Sequence, residues 1–440
     1  MRVSLNKPLP GVGTPAPMRF NCLEDWLAWQ EGLHFTSIEL GLERCMTVAR
    51  RMGLLHPDYI VISVAGTNGK GSSVNMLRSI LTHAGYATGC YSSPHLVRYN
   101  ERISLNGVEV TDEMLCAAFD RVDRVRGDIS LTYFEFGTLA ALDIFQRAGI
   151  DVAVLEVGLG GRLDAVNCLD ADAALITAIE LDHENWLGRD RETIAREKAG
   201  IMRSGKVAVC SDAEPPQSLL EHAAALGINL SVPERDYSHH ITNHCWEWQS
   251  GATVLGGLPR PSLYNTRQME NAAGVLMLLH SLSGRLPVEP RAIRRGLEEF
   301  TLSGRFQIVP DRAQLILDVA HNRQAMELLV QNLRGLPVPG KTHVLIGMLK
   351  DKNHTAIFNE IKEVADYWHL VTLEGPRGTD CDMLRKELAA LGITGNVACY
   401  PTVADALNQV RSLVGPQDHI VVTGSFLTVG AAMQHLRLAR

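Results

Sequence analysis

The sequence lacks paired cysteines and long uncharged apolar runs. Its nine cysteines are scattered singly between Cys22 and Cys399, and none forms a Cys-x-x-Cys pair. An odd number of isolated thiols is typical of a reduced protein and disfavours a disulfide framework or a zinc site. No uncharged apolar stretch is long enough to cross a bilayer, and residues 1–6 lack the apolar run of a signal peptide. We therefore expect a cytoplasmic protein without a membrane anchor.

The sequence also lacks a strong excess of one charge. It has 42 basic and 49 acidic residues, with a formal net charge of −7. This balance gives no general attraction to nucleic acid or to an anionic membrane, although a local basic pocket remains compatible with it. Internal repeats, low-complexity tracts and long charge blocks are absent as well. With 440 residues, of which 46% are hydrophobic, the chain can bury real cores, and two domains are expected.

Short β-branched runs alternate with helical patterns along the first part of the chain. A helix is predicted to follow the first strand, and another covers residues 136–148. This alternation predicts an α/β fold with a parallel, doubly wound sheet. The predicted strands of this part are residues 59–64, 87–92, 152–157 and 173–178.

A second, shorter alternating series begins near residue 304. We therefore predict an N-terminal domain over residues 1–302, a smaller Rossmann-like domain over 303–440, and a hinge at 301–304. The strands predicted for the smaller domain are residues 315–319, 344–348, 369–372 and 419–423.

Residues 231–253 have a different character, because they are polar and rich in histidine and tryptophan. They could form antiparallel strands at the edge of the first sheet. The spacing of the histidines fits no metal-ligand pattern, so an exposed β-hairpin is favoured over a metal site. The aromatic residues concerned are His239, His240, His244, Trp246 and Trp248.

The loop after the first predicted strand has the sequence GTNGKGS at residues 66–72. Its glycines let backbone N–H groups turn toward phosphate oxygens, Lys70 adds a positive charge, and Ser72 offers a hydroxyl to Mg²⁺. Gly71 lies between Lys70 and Ser72, so the sequence differs from the general Walker pattern, in which serine or threonine directly follows the lysine. A glycine-rich turn without a ligand is the alternative, but a strand, loop, lysine and helix in succession favour ATP binding.

Two further polar residues lie just past predicted strands of the same sheet. Glu156 ends the strand at 152–157, where a carboxylate can hold Mg²⁺ or can cap a neighbouring helix. His183 follows the strand at 173–178 and could converge on Glu156, although a single histidine is more often structural. Ligands of such sheets bind at the carboxyl ends of the strands, which favours the functional interpretation.

Two other segments carry less decisive patterns. Lys198 lies in a charged helical pattern, for which a salt-bridged lysine is the default interpretation. Asp318, His321 and Asn322 follow a predicted strand of the second domain. If the two domains face each other, this cluster lies across a cleft from the phosphate loop.

Taken in order, these segments resemble the folylpolyglutamate synthase and dihydrofolate synthase family of Mur-type amide ligases, and in particular its bacterial bifunctional members. The resemblance spans about residues 40–429. In this family the phosphate loop has a glycine directly after the lysine, as at Gly71 here. The motifs that carry it are AGTNGKGS at 65–72, YSSPHL at 91–96, LTYFE at 131–135, LEVGLGGRLD at 155–164, LDH at 181–183, EKAG at 197–200, GRF at 304–306 and DVAHN at 318–322.

The resemblance implies roles for individual residues. Lys70, His321 and Lys198 would be catalytic, and Lys198 would be carbamylated. Mg²⁺ would be bound by Ser93, Glu156 and His183. ATP would contact Thr67, Asn68, Gly69, Lys70, Gly71, Ser72, Asn271, Arg305 and Asp318. The pterin pocket would be lined by Ser37, Ile38, Glu39, Leu40, Thr132, Tyr133, Phe134, Glu135, Leu163, Asp164 and Ala165.

The resemblance also implies a reaction. A monomeric enzyme would use ATP to join L-glutamate to dihydropteroate, and to the γ-carboxylate of reduced folates, through an acyl phosphate. Its cofactors would be Mg²⁺ and a monovalent cation such as K⁺, with neither nucleic acid nor membrane as a partner. The sequence departs from the family at four positions, which bear on the surroundings of the site and on glutamate binding: Asn185, Ser303, Arg323 and Asn353.

Two other functions deserve comparison with this one. A cell-wall ligase of the same superfamily is disfavoured by residues 132–135 and by the lack of a separate uridine-binding N-terminal domain. An ATPase or GTPase switch is disfavoured by the sequence of the loop around Lys70 and by the second Rossmann-like domain. ATP turnover that needs both glutamate and a pteroate or folate would separate the ligase from the switch.

Overall fold

A computed structural model describes residues 18–36, 38–242, 245–260, 266–311, 313–336 and 340–438. Of the residues singled out above, Ser37, His244 and residues 1–6 lie outside these ranges. The α-helices within them are α1 (Leu23–Glu31), α2 (Glu43–Arg51), α3 (Lys70–His83), α4 (Asp112–Arg126), α5 (Tyr133–Ala148), α6 (Glu184–Leu187), α7 (Arg191–Ala199), α8 (Gln217–Ala225), α9 (Thr266–Ser281), α10 (Pro290–Glu298), α11 (Arg323–Arg334), α12 (His354–Ile361), α13 (Cys381–Ala390), α14 (Val403–Leu413) and α15 (Phe426–His435).

The strands fall into three sheets, which we call the large, small and C-terminal sheets. The large sheet contains β1 (Ile60–Ala65), β2 (Thr88–Tyr91), β3 (Ile103–Leu105), β4 (Val108–Glu109), β5 (Val152–Glu156), β6 (Ala173–Ile176), β7 (Val207–Cys210) and β8 (Leu230–Ser231). The small sheet contains β9 (Ser238–Ile241), β10 (Trp246–Ser250) and β11 (Thr253–Leu258). The C-terminal sheet contains β12 (Gln307–Val309), β13 (Gln314–Leu317), β14 (Thr342–Ile346), β15 (Tyr367–Val371), β16 (Val397–Tyr400) and β17 (His419–Thr423).

The large sheet has the strand order β4-β3-β2-β5-β1-β6-β7-β8. Six neighbouring strands are parallel to one another: β2, β5, β1, β6, β7 and β8. Successive β1 side chains point to opposite faces. Val61 packs with α4 and α5, whereas Ile62 and Val64 pack with α3, α9 and α10. Because both faces are covered by helices, the strand is a continuous apolar run rather than an alternating one. The predicted doubly wound sheet is thereby confirmed.

The C-terminal sheet has the order β12-β13-β17-β14-β15-β16, with only β12 antiparallel to its neighbour among the described strands. One face packs against α14 and α15, and the other packs against α11, α12 and α13. All eight strands predicted from the sequence are present, with bounds within two residues. The α1 helix begins after Cys22, its N-terminal capping position.

The prediction for residues 231–253 is only partly correct. Antiparallel strands are present, but β9–β11 form their own sheet and do not extend the large one. Trp246 and Trp248 are fully buried, so the segment is not an exposed hairpin. The indole of Trp248 donates a hydrogen bond to the Ala273 carbonyl of α9 at 3.1 Å. The contact with α9 therefore helps to bury Trp248, whereas the Trp246 indole donates to the Pro259 carbonyl at 2.8 Å.

No described helix is long and apolar enough to cross a membrane.

Candidate functional site

The ends of β1, β5 and β6 lie side by side in the large sheet. Val64 is in register with Glu156 on one side and with Leu175 on the other. The order of strands reverses direction at β1, so the loops after these strands diverge and leave a crevice. The phosphate loop, Glu156 and the segment that carries His183 all start from this point.

The first cavity at this crevice, which we call the loop cavity, has a volume of about 110 Å³. It brings together residues that lie far apart in the sequence. Those that line it include Thr67, Asn68, Gly69, Lys70, Gly71, Ser93, Glu156, His183, Lys198, Arg305 and His321. The three candidate catalytic residues and the three candidate metal ligands therefore share one cavity.

The phosphate loop leads directly into α3. Gly69 has φ of 92°, a left-handed conformation that a residue with a side chain rarely adopts. Lys70 donates hydrogen bonds to the carbonyls of Gly66 and Thr67 at 3.0 and 3.1 Å. Burial lowers the pKa of Lys70, while the charges of Glu156 and Asp182 act in the opposite direction. The ammonium group thus lies at the helix N-terminus, where anions are favoured.

Glu156 and its neighbours provide oxygen and nitrogen ligands to the loop cavity. The carboxylate of Glu156 is 5% exposed and accepts a long hydrogen bond of 3.3 Å from the Ser93 backbone. Burial raises the pKa of Glu156, and the charge of Lys70 opposes that rise. Burial also lowers the pKa of His183 to about 4, which leaves a neutral imidazole at neutral pH. A buried carboxylate and a hydroxyl are the oxygen ligands that Mg²⁺ and Mn²⁺ prefer, and a neutral imidazole can complete the set.

Lys198 approaches the phosphate loop from α7. Its ammonium donates a hydrogen bond to the same Gly66 carbonyl at 2.9 Å, and the residue is 3% exposed. Burial, followed by the charge of Lys70, lowers the pKa of Lys198 to about 7. This position overturns the default interpretation of a salt-bridged surface lysine.

Two glycines allow α7 to approach so closely. A Cβ atom on Gly161 would lie 2.7 Å from the Glu197 carbonyl oxygen and 3.0 Å from the Lys198 Cα. A Cβ atom on Gly200 would lie 2.6 Å from the Arg162 Cα. The backbones of the 158–164 loop and of the C-terminal end of α7 are therefore in direct contact.

A second cavity, the amide cavity, lies on the other side of the phosphate loop and has a volume of about 80 Å³. It contains the remaining candidate ATP contacts, Asn271, Arg305 and Asp318, together with Asn68 and Ser72. A Cβ atom on Gly69 would lie 2.5 Å from the Asn271 amide oxygen, so this glycine also permits the close approach of α9. Every predicted ATP-binding residue therefore lines the loop cavity or the amide cavity.

A third and larger cavity, the apolar cavity, has a volume of about 620 Å³. It adjoins the loop cavity through Ser93, Gly158 and His183, which line both. Ten of the eleven residues predicted for the pterin pocket line it, and the eleventh, Ser37, is outside the described residues. The ten are Ile38, Glu39, Leu40, Thr132, Tyr133, Phe134, Glu135, Leu163, Asp164 and Ala165.

The charged groups of the apolar cavity are held by specific hydrogen bonds. Thr132 caps α5 and exchanges hydrogen bonds with Glu135, the reciprocal arrangement known as a capping box. Arg44 then bridges Glu135 and Glu39. Burial raises the pKa of Asp164 to about 7, although backbone N–H groups of Leu159 and Val166 donate to its carboxylate.

The C-terminal sheet contributes to the same cavities from the opposite side. Lys352, in the loop after β14, lies 2.6 Å from Asp182, and both side chains are at most 10% exposed. His321, after β13, lies 3.7 Å from the same carboxylate. Burial acts to raise the pKa of Asp182, but His321 and Lys352 outweigh it and hold this pKa well below its usual range.

Side-chain amides add further contacts between the two sheets. Asn68 donates to Gln324 at 2.6 Å, and Gln324 donates to Glu180 at 2.9 Å. Asn322 donates to Asn68 at 3.1 Å. The carboxyl ends of the large and C-terminal sheets therefore face each other across the loop cavity.

Two parts of the chain match known family models. Residues 64–231 match the Mur ligase middle domain, and residues 304–426 match the glutamate ligase domain of Mur ligases. The chain is 44% identical to the dihydrofolate synthase/folylpolyglutamate synthase of Escherichia coli strain K12, over 95% of this chain and 96% of the relative. The chain belongs to the dihydrofolate synthase/folylpolyglutamate synthase family.

Solved structures of this family are similar over nearly the whole chain. E. coli FolC in complex with DHPP and ADP has a TM-score of 0.90 and 43% identity, covering 96% of this chain and 99% of that one. A bifunctional folylpolyglutamate synthase/dihydrofolate synthase with Mn, AMPPNP and L-glutamate bound has a TM-score of 0.88 and 43% identity, covering 96% and 100%. The Mur-ligase-like fold expected for this family is thus confirmed.

Three of the four departures from the family pattern line none of the cavities described for this chain. Asn353 caps α12 by accepting a hydrogen bond from the Ala356 backbone at 3.0 Å. Arg323 begins α11 and reaches Glu360 at 2.9 Å. Asn185 lies in α6, whereas Ser303, the fourth, lines a further cavity together with Thr301 and Leu302. None of the four lines the loop, amide or apolar cavity.

Some site residues of this family member were missed by the sequence analysis. Lys352 and Gln324 gave no signal by themselves, because a lysine and a glutamine in polar segments are ordinary. The rule that polar residues after parallel strands line ligand sites could have found Lys352, which follows β14. Gln268, which donates to the Ser72 hydroxyl at 2.9 Å from α9, carries no such signal.

Proposed function

We propose that this chain is an ATP-dependent ligase that joins L-glutamate to dihydropteroate, giving dihydrofolate, and to the γ-carboxylate of folylglutamates, giving polyglutamates. The observation that carries the proposal is the continuity of the loop cavity with the apolar cavity. A pterin held among Phe134, Leu163 and Asp164 would direct its carboxylate toward Lys70 and Glu156. The family relatives bind DHPP, ADP and L-glutamate in this fold.

The first step forms an acyl phosphate. An oxygen of the substrate carboxylate attacks the γ-phosphorus of ATP, the bond to the β–γ bridging oxygen breaks, and ADP leaves. Lys70 neutralises charge on the transferring phosphoryl group, and the backbone N–H groups of residues 67–72 orient the phosphates. Asn271, Arg305 and Asp318 hold the nucleoside end in the amide cavity.

The proposal assigns the metal site to Ser93, Glu156 and His183. Mg²⁺, when bound there, supplies positive charge to the phosphate oxygens. Glu156 is suited to this task because it is buried, and among the described residues its charge is opposed chiefly by Lys70. A monovalent cation such as K⁺ remains a prediction from the family resemblance.

Carbamylation of Lys198 is also part of the proposal. The neutral amine adds to CO₂ and loses a proton, so a cation becomes an anion beside the phosphate loop. A lysine with a pKa of about 7 has a large neutral fraction at physiological pH, which this addition requires. The carbamate would balance the charges of Lys70 and the metal.

The second step forms the amide. The amine of L-glutamate, after losing a proton, attacks the acyl carbon, and phosphate leaves. His321, Lys352 and Arg377 bring positive or titratable groups to the C-terminal side of the apolar cavity, where a dicarboxylate would bind. Closure of the two sheets around the intermediate protects it from water.

The test of this function is initial-rate ADP release with dihydropteroate or tetrahydrofolate, each with and without L-glutamate. We expect ADP release that depends on both the acceptor and glutamate. Release of ADP without either substrate would favour a switch ATPase and would overturn the ligase proposal.

The proposal extends to the organisation of the protein. We propose two domains, residues 1–302 and 303–440, joined by a hinge at 301–304, in a monomer that works in the cytoplasm. All nine cysteines are free, which suits a reducing compartment. Sedimentation equilibrium tests the monomer, and limited proteolysis tests the hinge.

A further inference from the structure

A fourth cavity lies beside the phosphate loop and adjoins the apolar cavity, because Ser93, Pro94 and Phe426 line both. We call it the arginine cavity, and its volume is about 390 Å³. Gly71, Asn75 and Arg78 line it from successive turns of one face of α3. Gly71, Ser93 and Glu156 also line the loop cavity, so the two cavities meet where the reacting carboxylate would lie.

Arg78 is the cation of this cavity that lacks a partner. Its Nε atom is buried and has no hydrogen-bond partner, and its guanidinium forms no ion pair with any described residue. The guanidinium packs against Gly107, where a Cβ atom would lie 2.7 Å from its Nη1. A half-buried guanidinium with an unused donor costs free energy unless an anion or water satisfies it.

The other charged groups of the cavity are already engaged. Glu101 accepts hydrogen bonds from the backbone N–H groups of Leu96, Val97 and Arg98, at 2.7 to 2.8 Å. The guanidinium of Arg98 is paired with Glu109. Arg305 lies near the charges of Asp318 and Glu156, which act to raise its pKa against burial. Glu156, the remaining carboxylate, accepts a hydrogen bond from the Ser93 backbone and lies near the charges of Lys70 and Arg305. Among the described residues that line the cavity, the buried donor without a partner therefore belongs to Arg78.

The two proposed acceptors differ in one respect that matters here. Dihydropteroate has a single carboxylate, the reacting one, attached directly to its aromatic ring. In a folate, the reacting γ-carboxylate belongs to a glutamate whose α-carboxylate remains free and is joined to it by a short carbon chain. This second anion must lie close to the reacting group, at the place where the loop cavity and the arginine cavity meet.

We propose that Arg78 binds the free carboxylate of the terminal glutamate of folate substrates, so that the arginine cavity serves tail extension and not the reaction of dihydropteroate. The inference rests on the proposed ligase function. Guanidinium groups bind carboxylates through two parallel hydrogen bonds. Asn75 lies one turn nearer the reacting group, where its side-chain amide would donate a further hydrogen bond to the same carboxylate. Inorganic phosphate has similar chemistry, and the test distinguishes it.

The experiment compares KM values for dihydropteroate and for tetrahydrofolate in ADP-release assays of the full chain. Arg78→Ala should raise the KM for tetrahydrofolate about 10- to 100-fold, as expected for a lost hydrogen bond between charged groups. The KM for dihydropteroate should change less than about twofold. Arg78→Lys, which keeps the charge, should fall between the two, and it carries the test if the alanine variant does not fold. Arg291→Ala, at an exposed arginine of α10, is the matched control.

Equal changes in both KM values, or an unchanged KM for tetrahydrofolate, would overturn the inference. So would a variant in which only product inhibition by inorganic phosphate weakens, because the cavity would then hold phosphate. If the unmodified chain releases no ADP with either acceptor, the ligase function itself fails and the inference falls with it. A KM that rises for tetrahydrofolate alone supports the inference.

Discussion

The carboxyl ends of the large sheet and of the C-terminal sheet build the same site in different ways. The large sheet concentrates charge: Lys70, Glu156 and Lys198 all line one small cavity. The C-terminal sheet contributes few charged groups. Two of them, Lys352 and His321, lie close to Asp182, which belongs to the segment that follows β6 of the large sheet. In the proposed mechanism one edge therefore carries the phosphoryl chemistry, and the other pairs with a buried carboxylate of the first. Variants at the two edges should differ accordingly.

The largest effect is expected at the edge of the large sheet. Lys70→Ala should lower glutamate-dependent ADP release by about 10³-fold or more, because it removes the positive charge that stabilises the transferring phosphoryl group. The measurement is steady-state ADP release with dihydropteroate. Lys341→Ala, at an exposed lysine paired with Asp366 at the far end of the C-terminal sheet, is the control. Near-normal turnover of Lys70→Ala would contradict the role of the loop.

A smaller effect is expected where the two edges meet. Lys352→Met leaves Asp182 buried without its lysine partner and with only the more distant His321, so the free energy of unfolding should fall by about 3 kcal/mol and kcat/KM by about 10- to 100-fold. Urea unfolding and ADP release are the measurements. Adding Asp182→Asn should recover part of the stability, since the double variant no longer buries an unpaired charge. Strictly additive effects of the two substitutions would show that the contact does not couple the edges.

The carbamate proposed at Lys198, on the large-sheet side of the site, should make the reaction rate depend on pH and on CO₂. The pKa of the Lys198 amine is about 7, so the neutral amine accumulates above pH 7. We expect the rate to rise as pH increases through 7 when bicarbonate is present, and to fall severalfold when CO₂ is removed. A carbamate signal in ¹³C NMR with labelled bicarbonate should be lost in Lys198→Ala and kept in Lys206→Ala. Absence of that signal from the unmodified protein at pH 8 would refute carbamylation.

The smallest effect on activity is expected at the opposite end of the C-terminal sheet. His343 and His369 are buried there with ring nitrogens 3.2 Å apart, and burial followed by the charge of His343 lowers the pKa of His369 to about 4. The unfolded histidine binds a proton near pH 6.5, so stability should fall as pH drops from about 6.5 to 4, by about 2–3 kcal/mol.

His369→Gln should flatten this dependence in urea unfolding curves while ADP release at pH 8 stays within about twofold. His435→Gln, at an exposed histidine, should leave the dependence unchanged. A slope that survives His369→Gln would assign the acid sensitivity to other groups.

The same two edges show what sequence reasoning could and could not find. The phosphate loop, Glu156 and His183 follow predicted parallel strands, and the geometry of such sheets brings strand ends together. Lys198 came only from the family resemblance, because its burial depends on how α7 packs against the 158–164 loop. Lys352 and Gln324 depend on how the two sheets face each other, which local patterns do not encode. The burial of Trp246 and Trp248 was missed for the same reason.

The close approach of Gly161 to the backbone of α7, and of Gly200 to Arg162, extends the proposed site beyond the groups that would touch substrate. Neither glycine lines the amide or arginine cavity, yet a single methyl group at either one would collide with backbone atoms. Relief requires α7 and the 158–164 loop to move apart, and an outward shift of α7 would carry Lys198 away from the Gly66 carbonyl. In a selection for folate-dependent growth, alanine at these two positions should therefore be as poorly tolerated as a change of the lysine itself.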